Sequence, residues 1–492
     1  MAMNQTSAHA PALEYRGFSF SYPGKAVVED LSWQLPQGSF TVLAGATGSG
    51  KTTLLRCAKP GLATGGSASG QILIDGRPAG ELDARTSARL VGYVAQNPDN
   101  QIVCDTVWHQ LAFGLENLGT PQEQMRRSVA ELSHFLGIGG WFHRQTSELS
   151  GGQRQLLNLA GVLATGPRLL LLDEPTSMLD PVAQKDFLHI LLRLNRELGI
   201  TVVCATHAPL AFAPYADSFF LLEQGRLRPL PAGEELPLPQ AGLLPPRAQA
   251  AGSAQAALEL RDVYARYKRG DEFILRGMDL RVAAGSIHAV IGGNGSGKST
   301  LLRCASGLMK PERGCLRNVL SARQALLPQD PKALFVCDSV EEELAEWQQA
   351  CGYSSDDVAS TLQRYRLEGT LQQHPYDLSG GQQQLLALAK LELTDPDLLL
   401  LDEPTKGLDP AARLQLAQCL AALRAQGRTV LLATHDLSFA ACTADEVTLL
   451  FDGQAACTQP AGEFFGSTLF YKPVPDSLYQ ALFQPGGGEQ PA

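Results

Sequence analysis

The chain has 492 residues, a formal net charge of −10 and 44% apolar side chains, the proportions of a globular protein with ample core. No apolar run reaches the roughly 18–20 residues that span a bilayer, and the acidic balance argues against a nucleic-acid partner, which calls for a basic face. The opening MAMNQTSAHAPALEYRG has neither a cationic nor an apolar leader region, so a cytoplasmic location is expected.

Residues Phe18–Pro23 (FSFSYP) alternate in polarity like a strand ending in a turn. Tyr22 can stack on a nucleotide base, or it can simply be an aromatic closing a strand. The short apolar run Phe40–Ala44 (FTVLA) predicts a buried parallel strand. It runs straight into Gly45-Ala46-Thr47-Gly48-Ser49-Gly50-Lys51-Thr52, which fits G-x-x-x-x-G-K-[ST] without mismatch. The glycines let the backbone aim its N–H groups at phosphate oxygens, Lys51 adds a charge at the β/γ phosphates, and the Thr52 hydroxyl can ligate Mg2+. Thr53 then starts a helix whose N-terminus faces the same anion. A strand before and a helix after separate this loop from a chance Gly-rich stretch.

Gly65–Arg89 is Gly/Ser-rich, then strand-like (QILIDG), then polar, and predicts a small antiparallel subdomain. A further strand, LVGYVA, leads to Gln96, placed to contact Mg2+ or an attacking water, although such a Gln is often a plain loop residue. Ser150, Gly151, Gly152 and Gln153 open a helix with Leu156, Leu159, Ala160 and Leu163 on one face. Their hydroxyl and N–H groups can bind an anion. After Pro167, Leu169–Leu172 predicts a buried strand delivering Asp173 and Glu174 to its carboxyl end, where open α/β sheets bind ligands. Asp173 is expected to hold Mg2+ and Glu174 to polarise or deprotonate the attacking water. The next strand, Thr201–Ala205, delivers His207, expected to contact a γ-phosphate. Neither half of such a site is complete without the cradle for the nucleotide itself.

Residues 231–256 are rich in Pro, Ala and Gly with no apolar period, a linker that reaches up to about 85–95 Å when extended. The parts then return. Ile287–Ile291 leads into Gly292-Gly293-Asn294-Gly295-Ser296-Gly297-Lys298-Ser299, followed by Thr300. Tyr267 parallels Tyr22, Gln329 parallels Gln96, and Ser379, Gly380, Gly381 and Gln382 parallel Ser150–Gln153. Asp402, Glu403 and His435 parallel Asp173, Glu174 and His207, with Thr52 and Gln96 as metal candidates matched by Ser299 and Gln329. The Ser-to-Asp interval is 23 residues in both halves, but Gln96 lies 45 residues after Lys51 and Gln329 only 31 after Lys298. The antiparallel subdomain is therefore expected to be trimmed in the second half. The repeat divides the chain into domains over 1–230 and 257–456, the linker, and a tail over 457–492 whose FYKPVPDSLYQALF could be a docking helix. Ten cysteines with no C-x-x-C pair point to reduced thiols packed as small hydrophobes, not to zinc.

Phosphate loop, Gln loop, LSGGQ, Asp-Glu pair and His, in that order and twice, resemble the ATP-binding cassette (ABC) ATPases. The resemblance implies an α/β fold: two tandem ABC-type P-loop nucleotide-binding domains, each with a RecA-like α/β core, an antiparallel β subdomain and an α-helical signature subdomain. It implies ATP and Mg2+ as cofactors, and two ATPs sandwiched between cassettes that pair within the chain. One site then uses Lys51, Thr52, Gln96, Asp173, Glu174 and His207, closed by Ser379–Gln382; the other uses Lys298, Ser299, Gln329, Asp402, Glu403 and His435, closed by Ser150–Gln153. QNPDNQIVCDTVWHQLAFGLENLG is similar to the Gln-loop region of energy-coupling factor (ECF) transporter ATPases, and LPQDPKALFVCDSVEEEL looks like their partner ATPase. That likeness implies a peripheral place on the cytoplasmic face of the membrane, an integral membrane coupling subunit and a substrate-binding membrane subunit. Met178 and Ala208 depart from the pattern, and bear on fine tuning of the first site. Tandem ATPases acting on ribosomes, and the ATPases of sugar importers, share the two-cassette length.

Overall fold

A computed structural model describes residues 10–62, 65–177, 179–232, 234, 255–468 and 471. The linker, Met178 and FYKPVPDSLYQALF lie in whole or large part outside them. The chain divides into two units, Met1–Leu236 and Pro237–Ala492.

The first unit opens with β1 (Leu13–Tyr22), β2 (Lys25–Leu35) and β3 (Phe40–Ala44), then α1 (Lys51–Cys57), β4 (Ser67–Ile74), β5 (Arg77–Pro78), α2 (Ala84–Leu90) and β6 (Val91–Val94). There follow α3 (Val107–Asn117), α4 (Gln122–Phe135), α5 (Gly151–Leu163), β7 (Leu169–Asp173), α6 (Pro181–Leu198), β8 (Thr201–Thr206), β9 (Ser218–Glu223) and β10 (Arg226–Pro229). Two sheets result, of order β2-β1-β4-β5 and β10-β9-β3-β8-β7-β6. The second is parallel except for the β9–β10 hairpin.

Every residue of β3, β7 and β8 is buried, as strands covered on both faces require. Alternation decides which core each side chain joins: Leu170 and Leu172 face the helices, while Leu169 and Leu171 face α1 and the antiparallel sheet. The four-leucine run thus stitches two cores together, each buried leucine contributing about 1.5–3 kcal/mol relative to exposure. The antiparallel sheet is larger than Gly65–Arg89 predicted, because β1 and β2, which precede the phosphate loop, supply most of its pairing. In α5 the buried face is also wider than four positions: Leu157, Asn158 and Gln155 are buried, and Leu156 only half so. The helix is covered on several sides by its neighbours.

The second unit repeats the plan as β11 (Ala256–Ala265), β12 (Leu275–Ala283), β13 (Ile287–Ile291), α7 (Lys298–Ala305), β14 (Arg313–Asn318) and β15 (Gln324–Leu327). It continues with α8 (Val340–Ala345), α9 (Gln348–Cys351), α10 (Ser355–Tyr365), α11 (Gly380–Glu392), β16 (Leu398–Asp402), α12 (Pro410–Ala425), β17 (Thr429–Thr434), α13 (Leu437–Thr443), β18 (Glu446–Phe451), β19 (Gln454–Pro460) and α14 (Ala461–Ser467). Its antiparallel sheet has three strands where the first has four, the trimming that the shorter Lys-to-Gln interval predicts. Ordered structure runs past residue 456, since β19 pairs with β18 through Pro460 and Phe464 is buried in the core. All ten cysteines are free thiols; Cys315 and Cys351 are exposed instead of packed.

One difference between the helical layers stands out chemically. In the first unit Gln110 accepts hydrogen bonds from the Val103 and Cys104 N–H groups (3.0 and 3.1 Å) and donates to the Gln101 carbonyl (3.0 Å). The second unit has Glu343 at that position, accepting from the Val336 and Cys337 N–H groups at 2.5 Å. The matching carbonyl, Leu334, accepts instead from Lys390 Nζ (2.9 Å), and Lys390 stands where the first unit has Gly161. Lys390 pairs with Glu343 and Glu346 and lies 4.5 Å from the Trp347 ring centre. Both Lys390 and Glu343 are 0% exposed.

Candidate functional site

Strand register sets the site. Ala44 lies opposite Thr206 and Asp173 opposite Ala205, so Gly45, Glu174 and His207 leave the sheet within one residue of the same level. Ile291–Thr434 and Asp402–Ala433 repeat this in the second unit.

The phosphate loops need glycine for space and for backbone sign. Gly50 caps α1 at φ 103°, and a Cβ there meets Val27 Cγ1 at 2.6 Å. Gly297 has the same role at φ 106°. Lys51 Nζ donates to the Gly45 and Ala46 carbonyls (2.7 and 3.0 Å) and lies 3.6 Å from Glu174 Oε1. Lys298 does the same to Gly292 and Gly293 (2.8 and 3.1 Å) and lies 3.5 Å from Glu403 Oε1. The hydroxyls of Ser49 and Ser296 are buried without a hydrogen-bond partner, which suits loops built to receive an anion.

Both glutamates sit in the left-handed region, at φ 46° for Glu174 and 50° for Glu403, a conformation that ordinary residues occupy at a cost of about 1–3 kcal/mol. Each is buried and approached by its histidine: His207 Nδ1 is 2.9 Å from Glu174 Oε2, and His435 Nδ1 is 2.8 Å from Glu403 Oε2. The second approach is an ion-pair contact rather than an aligned ring hydrogen bond, and the backbone N–H of His435 donates to Glu403 at 3.2 Å. Burial pushes the Glu403 carboxyl up, but His435 and Lys298 outweigh it and hold it at about 2. Glu174 is lowered by the same balance, burial opposed by His207 and Lys51. His435 is correspondingly raised, Glu403 overcoming the effect of burial.

The aspartates go the other way, raised chiefly by burial. Asp173 accepts from the Thr52 hydroxyl (3.0 Å) and from the Tyr93 hydroxyl (3.2 Å), and Arg56 Nε lies 3.4 Å behind that tyrosine. Asp402 is held by the Ser299 hydroxyl, and its buried Oδ1 has no hydrogen-bond partner. Leu326 stands where Tyr93 would be. A hydroxyl beside a buried carboxylate with an open oxygen is a donor set of hard oxygens, which fits Mg2+.

The fold therefore gathers Lys51, Thr52, Asp173, Glu174 and His207, and likewise Lys298, Ser299, Asp402, Glu403 and His435. Gln96 and Gln329 lie two residues beyond β6 and β15, one strand from the aspartates. Tyr22 packs edge-on against Phe20, 5.1 Å between ring centres. Tyr267 is half-exposed beneath Arg303, 5.6 Å from its ring centre, with its hydroxyl 3.4 Å from Thr300 Oγ1. Ser150 and Gln153 form a capping box on α5, the hydroxyl accepting from the Gln153 N–H at 3.3 Å and the Ser150 N–H donating to the Gln153 side chain at 3.0 Å. Ser379 and Gln382 cap α11 in the same way. Sequence reasoning missed Tyr93; its signal was the mismatch with Leu326 when the halves are compared.

A profile of the ABC transporter family matches residues 28–177 and 275–406. A Bacillus thuringiensis subsp. konkukian protein, provisionally named an ABC transporter ATP-binding protein, is 36% identical over 521 residues that cover 94% of each chain. The Bacillus subtilis protein provisionally named HMP/thiamine import ATP-binding protein YkoD is 31% identical over 93% of this chain and 92% of its own. Among solved structures, the RNase-L inhibitor superposes with a TM-score of 0.63 over 91% of this chain and 92% of its own; at 18% identity the likeness is one of fold.

Proposed function

Because the chain belongs to the ABC transporter family of ATPases, matched in both halves, we propose that it is the ATP-hydrolysing motor of a membrane importer of the energy-coupling factor type, serving a vitamin or a transition-metal ion. The observation that carries this reading is that each half gathers the same set of lysine, hydroxyl, aspartate, glutamate and histidine, in a chain with full-length relatives named for transport, one of them for HMP/thiamine import. ATP lies on the two phosphate loops. Mg2+, held by Thr52 with Asp173 and by Ser299 with Asp402, supplies charge neutralisation at the phosphates. Glu174 and Glu403 orient and polarise water, His207 and His435 contact the γ-phosphate, and Gln96 and Gln329 sense metal or water. Tyr22 and Tyr267 stack on the bases.

Each ATP is gripped from both halves: Ser379–Gln382 close on the site of Lys51, and Ser150–Gln153 on that of Lys298. Binding draws the cassettes together, and hydrolysis removes the γ-phosphate contacts and releases them. Residues 231–256 keep the second cassette at an effective concentration of about millimolar. No helix of the described residues is long and apolar enough to cross a membrane. In this reading the substrate path lies in partners, an integral coupling subunit and an exchangeable substrate-binding subunit, engaged from the cytoplasmic face.

The test is to isolate the full chain from detergent-solubilised membranes with and without ATP, identify the integral membrane proteins bound, and measure ATP hydrolysis with them. A chain that associates with no integral membrane protein, and instead sediments with ribosomes, refutes the importer reading. Cross-linking that keeps Ser379 away from Lys51 throughout turnover refutes the shared sites alone.

A further inference from the structure

The two halves hold their catalytic histidines differently. In the second unit Asp436, directly after His435, caps α13 by accepting from the Phe439 N–H (2.9 Å) and also accepts from Arg413 Nη2 (2.8 Å). Arg413 lies in the first turn of α12, the helix that follows the Asp402-Glu403 strand and is capped by Asp409. Both partners are largely buried, at 15% and 16% side-chain exposure, where a charge-assisted hydrogen bond is worth more than at the surface. The first unit has neither partner: Gln184 stands at the matching place in α6, four residues after Asp180, and Ala208 follows His207. There a short 3-10 turn, Pro209–Phe212, replaces the capped helix α13.

We propose that Arg413 and Asp436 are positioning residues that brace His435 against Glu403, so that the second half's site turns over faster than the first. The brace joins two separate stretches of chain that lead to the reacting groups. α12 begins seven residues after Glu403, while Asp436 is covalently next to the histidine. Fixing the second to the first fixes the histidine relative to the carboxylate. His207 Nδ1 stands at a similar distance from Glu174, 2.9 Å against 2.8 Å for the second pair, but hangs from a loop without that tie. Neither Arg413 nor Asp436 lies on the phosphate loop, so the brace acts on turnover after ATP is bound. This inference rests on the assignment of Glu403 and His435 to hydrolysis.

The experiment is steady-state ATP hydrolysis by the full chain carrying R413Q or D436N, the second chosen because an asparagine side chain still caps α13 but cannot form the ion pair. Each is expected to lower kcat about fivefold while KM for ATP moves less than about twofold, the pattern of a group that acts in turnover and not in binding. R413K, which keeps the charge, should recover most of the loss. The graft Q184R/A208D, giving the first half its own brace, should raise kcat. A purely structural role would instead lower ATP affinity or thermal stability without this split. If R413Q and D436N both stay within about twofold of the parent in kcat while Glu403→Gln still lowers it, the brace is refuted and the site assignment stands. If Glu403→Gln leaves turnover intact, the site assignment fails and the brace falls with it.

Discussion

Replacing Lys390 by methionine is the sharpest test of how the second helical layer is held. Methionine nearly matches the volume of the aliphatic stem, so the change deletes a charge more than it opens a cavity. It leaves Glu343, itself 0% exposed, facing Glu346 without a cation, and it strips the donor from the Leu334 carbonyl. Breaking a buried ion pair from one side costs about 3–5 kcal/mol, which in a unit of this size lowers Tm by about 6–20 °C. The first half shows what a neutral version looks like: Gln110 serves both N–H groups and the Gln101 carbonyl by itself. K390M combined with E343Q should therefore recover most of the loss, the new amide donating to Leu334. Trp347 is the one tryptophan of the second half, so its fluorescence during thermal unfolding, with the other three tryptophans replaced by phenylalanine, reports on this unit. A double-mutant cycle should give a coupling above about 2 kcal/mol. If K390M and the double variant melt together, the buried charge is not what Lys390 answers, and the reasoning fails.

Glu174→Gln with Glu403→Gln should abolish phosphate release while nucleotide binding, measured with a fluorescent ATP analogue, stays within about twofold, since a water-polarising group contributes about 10²–10⁴-fold to rate and little to binding. Tyr93→Phe removes one of the two hydroxyls on Asp173 and should raise the Mg2+ concentration needed for half-maximal ATP binding several-fold; Leu326→Phe in the second half should leave it unchanged. The pH dependence follows from the pair at the second site. Glu403, held at about 2 against an ordinary 4.5, stabilises the fold above pH 4.5 and loses that contribution as pH falls toward 2. His435, raised above an ordinary 6.5, stabilises the fold below 6.5 and loses that contribution as pH rises through its elevated value. The Tm difference between the parent and His435→Gln should thus be widest between pH 4.5 and 6.5 and narrow on the alkaline side; a difference that grows with pH contradicts the assignment.

What was legible in the sequence was local. The strand into Gly45, the glycines that need room, the four-leucine run and the acids at its end are set by chain neighbours, and each was found where its spacing placed it. What was not legible depends on residues far apart. β1 and β2 join β4 across the phosphate loop, so the reach of the antiparallel sheet is hidden from any single window. The contact of Tyr93 with Asp173 spans eighty residues, and that of Lys390 with Glu343 forty-seven. The left-handed turn at Glu174 and Glu403 carries no glycine to advertise it. Leu156 was misplaced because a helix packed on several sides has no single apolar stripe. The repeat itself offered the remedy, since residues that differ together between halves, such as Gln110 with Gly161 against Glu343 with Lys390, mark contacts.

Under the proposed function, the loop lysines link fuel to reactivity. Lys51 and Lys298 each lean on a glutamate while bonded to their own loop carbonyls, and a carboxylate steadied by a neighbouring cation is a poor proton acceptor. On the assignment proposed above, a terminal phosphate competes for that same cation, and its arrival loosens the hold on the glutamate and makes it a stronger base only when there is something to cleave.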